Sequence, residues 1–378
     1  MSALDTLLKA PGAGLEAEDD FEAINELFRG KGWSDGLPII PPTAQRVQEM
    51  LAYCDRPLDE PIGLMAPRYG AATPVRLAAN AVMAGCRPEY FPVLMTAVEA
   101  ACDEKFNLYG VQATTHQCAV MILVNGPIAR ELKINCGHNA FGPGWQANAT
   151  IGRAMRLAQV NIGGAIPTTG DMSTFGSPGK YTYCAAENEA DSPWEPLHVE
   201  LGFAKETSTV TVYSAEGPHN VNDHESITGE GLLKMIAGTV AMTGSNNVYY
   251  EGAPLVICGP EHAQTIAQDG YSKADVKRYL YEHARVPLAS FSNENIERRM
   301  RQWAVYKGEF AKAGLEARVP VIKRPDGVHI VVVGGAGKHS AFVPTFGASE
   351  PVTRAIRRRD GTPVRSIAEL GKSRHERK

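Results

Sequence analysis

Several things are scarce in this 378-residue chain. No run of eighteen or more apolar residues occurs, so no segment reads as a membrane-spanning helix. Cysteine is sparse and unpatterned: seven residues, at 54, 86, 102, 118, 136, 184 and 258, an odd number without the density of a disulfide-stapled secreted domain. The N-terminal stretch MSALDTLLKAPGAGLEAEDDFEAINELF carries acids where a secretion signal would have a basic start and an apolar run. A cytoplasmic protein with reduced thiols is the expectation. Positive charge is not in excess either. A net charge of -4 gives no global attraction to nucleic acid, and none is expected as a partner. The one basic concentration is the tail from Arg354 to Lys378, where nine Lys and Arg face three acids, and it reads as a solvated terminus.

Compact cofactor signatures are missing too. HExxH, CxxC and the calcium-binding EF-hand loop do not occur. Neither GxxxxGK[ST] nor GxGxxG opens a helix after a strand, and GGAGKHS (334–340) is like the first only superficially, so neither ATP nor NAD is expected.

What is present is a large apolar fraction, 44% of residues, enough to bury a substantial core. Phe21 to Arg29 and Ala44 to Ala52 have helical periodicity, separated by GKGWSDGLPIIPPT (30–43), where three prolines forbid helix. Thr73-Pro74 reads as an N-cap and first-turn proline ahead of VRLAANAVMAG, and another helix follows at 92–103. Three β-rich apolar runs stop at glycine: AVMILVNGP (119–127), APLVICGPEHA (253–263) and VHIVVVGGAGKHS (328–340). Each predicts a buried strand feeding a turn and a helix, and a fourth strand, STVTVYSAEGPHN (208–220), ends in a similar Gly-Pro. Ser272 and Asp275 predict a capping box for a helix toward residue 287, and Glu294 to Lys312 predicts a further one.

The expected class is therefore α/β, with mixed or mostly parallel sheets built from repeated strand-Gly-Pro-helix units and helices on both faces. Residues 1–60 are expected to pack on the core as a helical and extended segment. Residues 61–350 form the catalytic region, either continuous or as two similar α/β halves meeting near 200, and 351–378 form the basic tail. Residues 142–196 are rich in glycine, threonine and proline, with little periodicity outside Ile151–Val160, and loops of that length in a compact domain tend to be functional.

The chemistry-bearing residues gather in short loops. In INCGHNAFGPG (134–144), Cys136 and His138 sit among turn formers. His116 and Cys118 share QATTHQCA, and His219, Asn220, Asp223 and His224 share EGPHNVNDHES. His138, His219 and His116 are candidate proton-transfer groups, with Glu187 of the acidic stretch CAAENEADSPWEP assisting. Cys136 and Cys118 are candidate nucleophiles, since a neighbouring imidazolium or helix N-terminus lowers a thiol pKa. The stretch GHNAFGPGWQANATIGRAMRLA suggests an anion-binding turn before a helix, with Asn139, Gly142, Gly144, Asn148, Thr150, Arg153 and, from the other loop, Asn220 as substrate-binding candidates. A divalent transition metal could be held by some of His116, His138, His219, His224 and Asp223, although their spacing does not demand one.

Taken together, GWSDGLPIIPPT (32–43), AANAVMAGCRPEYFPVL (78–94), INCGHNAFGPG, ENEADSPWEPLHVE (187–200), EGPHNVND (216–223), GPEHAQTIAQDGYSKADVKRYL (259–280) and GGAGKHSAFVPTFG (334–347) resemble a bacterial family associated with, or joined to, the UGSC (seleno)proteins. The motif naming those proteins places selenocysteine or cysteine before Gly-Ser-Cys. The resemblance implies a selenol- or thiol-bearing partner and redox or reductive-cleavage chemistry, but brings no catalytic residues with it. The UGSC motif itself does not occur in this chain.

The leading expectation is an enzyme of lyase or hydrolase type acting on a small polar or anionic molecule, assembled as a homo-oligomer like most soluble enzymes. The alternatives are a thiol-dependent oxidoreductase working with that partner, and a non-catalytic small-molecule binding or assembly subunit.

Overall fold

The computed structural model describes residues 14–299, 312 and 314–371. Two four-stranded sheets lie face to face between two layers of helix. In chain order the elements that build them are helices α1 (Phe21–Gly30), α2 (Ala44–Leu51), α3 (Pro74–Ala84) and α4 (Phe91–Ala101), then strand β1 (Ala119–Asn125), α5 (Pro127–Glu131), α6 (Gln146–Asn161), β2 (Cys184–Ala186), β3 (Thr209–Ala215) and β4 (His219–Asn222). There follow α7 (Gly229–Val240), β5 (Leu255–Cys258), α8 (Pro260–Gln268), α9 (Lys273–His283), β6 (His329–Val332), β7 (His339–Val343) and β8 (Val352–Ala355).

Sheet one has the order β8-β3-β1-β2 and sheet two the order β6-β5-β7-β4. Both are mixed. The pairs β1–β2 and β5–β6 are parallel and the others antiparallel. All seven residues of β1 are buried, which explains its unbroken apolar run. Val120, Ile122 and Val124 pack against the helices of the first layer, while Ala119, Met121 and Leu123 pack against the second sheet. Strand β5 repeats the logic: Val256 and Cys258 face the second helical layer, and Leu255 and Ile257 face sheet one. Each large aliphatic buried this way contributes roughly 1.5–3 kcal/mol.

Local chemistry sets the helix ends as the sequence predicts. Thr73 Oγ1 accepts from the Arg76 N–H, Pro74 occupies the first turn, and Gly85 stops α3 at φ 85°. Ser272 and Asp275 form a reciprocal capping box on α9. The extended segment after α1 is tied down by Asn25, whose Oδ1 accepts from the Ile39 N–H, and by the Ile40 N–H bonded to the Met83 carbonyl. Ile24 and Phe28 of α1 pack on the first core cluster.

The chain departs from the expected strand-to-helix pattern at two strand ends. The strand β6 does not feed a helix: its glycine-rich end turns into β7, which pairs with β5 and β4. Strand β3 likewise leads through Glu216-Gly217-Pro218 directly into β4 of the other sheet. The chain passes from sheet one to sheet two at that crossover, and sheet one is completed by β8 from the C-terminal end. The segment 351–371 is more than a solvated terminus, because β8 pairs with β3 and Ile356, Val364 and Ile367 are buried. Of the helix expected over 294–312, Asn293–Arg299 is seen, and most of the remainder lies outside the described residues.

Both passages between the sheets occur at one place. An isolated bridge joins Ala215 to Thr345, and the Glu216 N–H donates to the Pro344 carbonyl. No described helix is long and apolar enough to cross a membrane.

Candidate functional site

A cleft of about 1450 Å³ opens beside this double crossover. Its walls come from the segment 166–181, from Glu216 to His219, from the N-terminal extended segment at Gly32, Ser34 and Asp35, and from Met242, Gly244 and Ser245. The low-periodicity region singled out by composition therefore supplies much of the lining. Among its apolar side chains are Ile166, Phe175, Tyr181 and Met242, and Phe175 is 80% exposed.

Glu216 faces the cleft and is held from behind. Its Oε1 lies 2.6 Å from His116 Nε2, and its Oε2 accepts from Gln117 Nε2 at 3.2 Å. Both members of the His116–Glu216 pair are largely buried, with 14% and 19% of their side chains exposed. The backbone carbonyl of Glu216 accepts from the Tyr183 hydroxyl, and the His116 N–H is bonded to Thr114 Oγ1. Such a carboxylate-imidazole pair can hold or pass a proton while keeping a fixed geometry.

On the same cleft, Asp171 binds two cations. Lys180 Nζ donates to both carboxylate oxygens at 2.7 and 2.8 Å, and an Arg156 guanidinium nitrogen donates to Oδ2 at 2.9 Å. Burial alone would raise the Asp171 carboxyl, but the Lys180 hydrogen bond and the Arg156 charge outweigh it and hold it below the usual carboxylate range. Two cations on one carboxylate leave that cluster with one surplus positive charge, in a cleft that Glu216 also lines. The Ser177 and Ser245 hydroxyls are buried at this cleft and, among the described residues, have no hydrogen-bond partner.

The sequence candidates divide among three places. His219 lines the large cleft, with His116 behind Glu216. Asn139 and Gly142 line a second cleft of about 450 Å³, opposite the loop Gly334–Gly337 and His339, and Pro218 borders both clefts. His138 is exposed, and its ring lies so close to Gly335 that a side chain there would collide with it. Cys136, Gly137 and His138 thus belong with the glycine-rich end of β6, and the Gly334 N–H bonds the Cys136 carbonyl.

Other candidates have structural employment. Asn148 does not cap α6; its amide spans the loop, accepting from the Asn135 N–H and donating to the Asn135 and Ala140 carbonyls. Thr150 Oγ1 donates to the Gln146 carbonyl one turn back within α6, which begins at Gln146, and Gly144 sits in the preceding turn at φ 114°. Arg153 is a clamp rather than an anion receptor: it grips Asp35 through two nitrogens and also bonds the Leu37 and Pro38 carbonyls.

Glu187 lies in neither cleft. It is 4% exposed, accepts from Asn125 Nδ2 and the Leu197 N–H, and stands 3.9 Å from Lys273 Nζ. Burial pushes its carboxyl above the ordinary range, with Lys273 opposing. The thiols are likewise unactivated. Burial raises Cys118 to about 12 and also raises Cys136.

Nor do the metal candidates assemble: among the described residues no three His, Cys, Asp or Glu side chains group as a metal site. Asp223 instead accepts from the Glu225 and Ser226 N–H groups in a turn, while His224 meets His339, with Asn220 bonded to the latter.

Sequence reasoning passed over Glu216, Asp171 and Lys180. Glu216 had a signal, since it stands immediately before a Gly-Pro at a strand end, where a backbone leaves the sheet and a side chain can face a crevice. Asp171 and Lys180 had only their place in the long loop. No protein-family model matches the chain, and no curated protein matches it.

Proposed function

We propose that the chain is an enzyme performing acid–base chemistry, of lyase or hydrolase type, on a small anionic molecule bound in the large cleft. The observation carrying this reading is the His116–Glu216 pair, 2.6 Å apart, at a cleft whose Arg156–Asp171–Lys180 cluster bears a surplus positive charge. Glu216 takes the proton from substrate or from water, and His116 and Gln117 position it. Lys180 and Arg156 draw the substrate anion, and His219 at the wall returns a proton.

The test is a screen of small carboxylic acids for turnover by proton NMR. Glu216→Gln is expected to lower turnover at least 100-fold, within the usual range for general acid–base groups, while ligand binding persists. Unchanged turnover in that variant would remove Glu216 from the chemistry. Binding without turnover by the native protein would instead favour the non-catalytic reading. The thiol-dependent alternative draws less support, because burial keeps Cys118 and Cys136 protonated at neutral pH. A redox step would then depend on the thiol or selenol of the partner that the family resemblance implies.

A further inference from the structure

A second feature, independent of the large cleft, lies on the far end of sheet two. His224 and His339 face each other through their Nε2 atoms at 3.3 Å, with ring centroids 5.0 Å apart and planes at 80°. At this separation one ring N–H donates to the other ring nitrogen, so in the metal-free protein the two imidazoles form a hydrogen-bonded pair. Two imidazoles chelating one tetrahedral zinc ion at about 2.0–2.1 Å each stand about 3.3–3.4 Å apart at their nitrogens. The hydrogen-bonded pair already holds its nitrogens at the separation a chelate needs.

The second contact on His339 sets its tautomer. Its Nδ1 lies 2.9 Å from Asn220 Oδ1, so Nδ1 carries the proton and the lone pair is left on Nε2, directed at His224. Metal-bound histidines almost always donate their other ring N–H to an oxygen, commonly a carboxylate, a backbone carbonyl or water, and the Asn220 amide oxygen takes that place here. The scaffold is firm as well. Asn220 and His339 are diagonal neighbours on the paired strands β4 and β7, and His224 follows in a turn tied by Asp223 and by Lys338 Nζ, which donates to the His224 carbonyl. Both imidazoles are exposed, so water or an exogenous ligand can complete the coordination.

We propose that His224 and His339, with Asn220 as the outer buttress, form a two-histidine site for one divalent transition-metal ion of the zinc, cobalt, nickel and copper group. Imidazole suits these ions, and the geometry suits tetrahedral zinc. Because His339 also lines the second cleft, the ion would stand at its rim with coordination positions open to a ligand there.

The experiment titrates the chelator-treated full-length protein with Zn²⁺ by calorimetry and with Co²⁺ by visible absorption. One saturable equivalent per chain with tetrahedral cobalt bands is expected, lost in both His224→Ala and His339→Ala. Asn220→Ala is expected to weaken binding by about tenfold or more. His138→Ala, at the neighbouring loop, should bind as the native chain does. Absence of a saturable equivalent, or binding that survives loss of either His224 or His339, overturns the site, and native affinity in Asn220→Ala overturns the buttress. Circular dichroism checks the fold of each variant. Should His339→Ala unfold, His224→Gln in the exposed turn carries the same test.

Discussion

Asp171→Ala separates stability from ligand attraction at the large cleft. In the native protein its carboxylate is 6% exposed, and the side chains of Arg156 and Lys180 that bind it are each 12% exposed. Removing one partner of a buried ion pair leaves an uncompensated charge and costs about 3–5 kcal/mol. Here two cations would be left facing one another, although the openness of the cleft to water moderates the loss. Folded proteins are stable by only about 5–15 kcal/mol, so the urea midpoint should fall markedly. Anion affinity should move the other way. At an effective dielectric of about 20, a unit negative charge repels an anion about 8 Å away by about 2 kcal/mol, so at that separation its deletion lowers Kd roughly thirtyfold. The effect should shrink as salt is added. Because the native carboxyl is held below its unfolded value, its stabilising contribution is present above about pH 4 and is lost as pH falls through the depressed native value. The stability difference between native and variant should therefore be flat near neutrality and narrow in acid. A loss under about 1 kcal/mol, or strict additivity with Lys180→Met, would refute a coupled cluster.

Three further outcomes follow from contacts already described. Arg153→Ala should destabilise by about 3 kcal/mol, because the buried Asp35 carboxylate loses its bidentate partner; urea unfolding that matches the native protein would return Arg153 to the list of ligand-binding residues. Cys118, raised to about 12, is thiolate in only about one molecule in 10⁵ at pH 7, so native protein should resist iodoacetamide at that position, as peptide mass mapping would show. His329 is lowered to about 4, chiefly by burial, and its Nδ1 lies 2.7 Å from the Tyr213 hydroxyl. Its neutral form should contribute stability fully above about pH 6.5, with progressive loss as pH falls toward 4; a native-state NMR titration midpoint near 6.5 would contradict this.

The local rules were readable in the sequence wherever one short segment contained the whole cause. Ser272 with Asp275, Thr73 with Pro74, and the seven buried residues of β1 need nothing beyond their neighbours to explain them. Pairing was not readable on the same terms. The apolar runs at β5 and β6 look alike, yet only β5 continues into a helix, because Gly259-Pro260 opens α8 whereas Gly334–Gly337 turns the chain back toward β7. The meeting of the two sheets was invisible for a related reason. A strand covered by helix on one face and by sheet on the other has the same continuous hydrophobic run as one covered by helices twice.

The site divides along the same line. His116 and His219 drew attention because imidazoles in polar loops are conspicuous, but what gives His116 its setting is Glu216, one hundred residues later in sequence and 2.6 Å away in space. Asn148 and Arg153 drew attention for the opposite reason: a polar residue near a glycine-rich loop resembles a ligand contact until its own partners are known. Arg153 spends its guanidinium on Asp35 and two carbonyls, whereas Arg156, one turn on, carries its charge to Asp171 at the cleft. INCGHNAFGPG has a comparable ambiguity. Its Asn135–Asn148 bridge and Cys136 carbonyl fasten the loop to α6 and to the end of β6, and the surface thereby presented faces His339, not Glu216. Spacing cannot distinguish a residue that builds a wall from one that faces the space enclosed. That distinction depends on which side chains already have partners, and it is why Glu216 and Lys180 define the large cleft more sharply than the cysteines do.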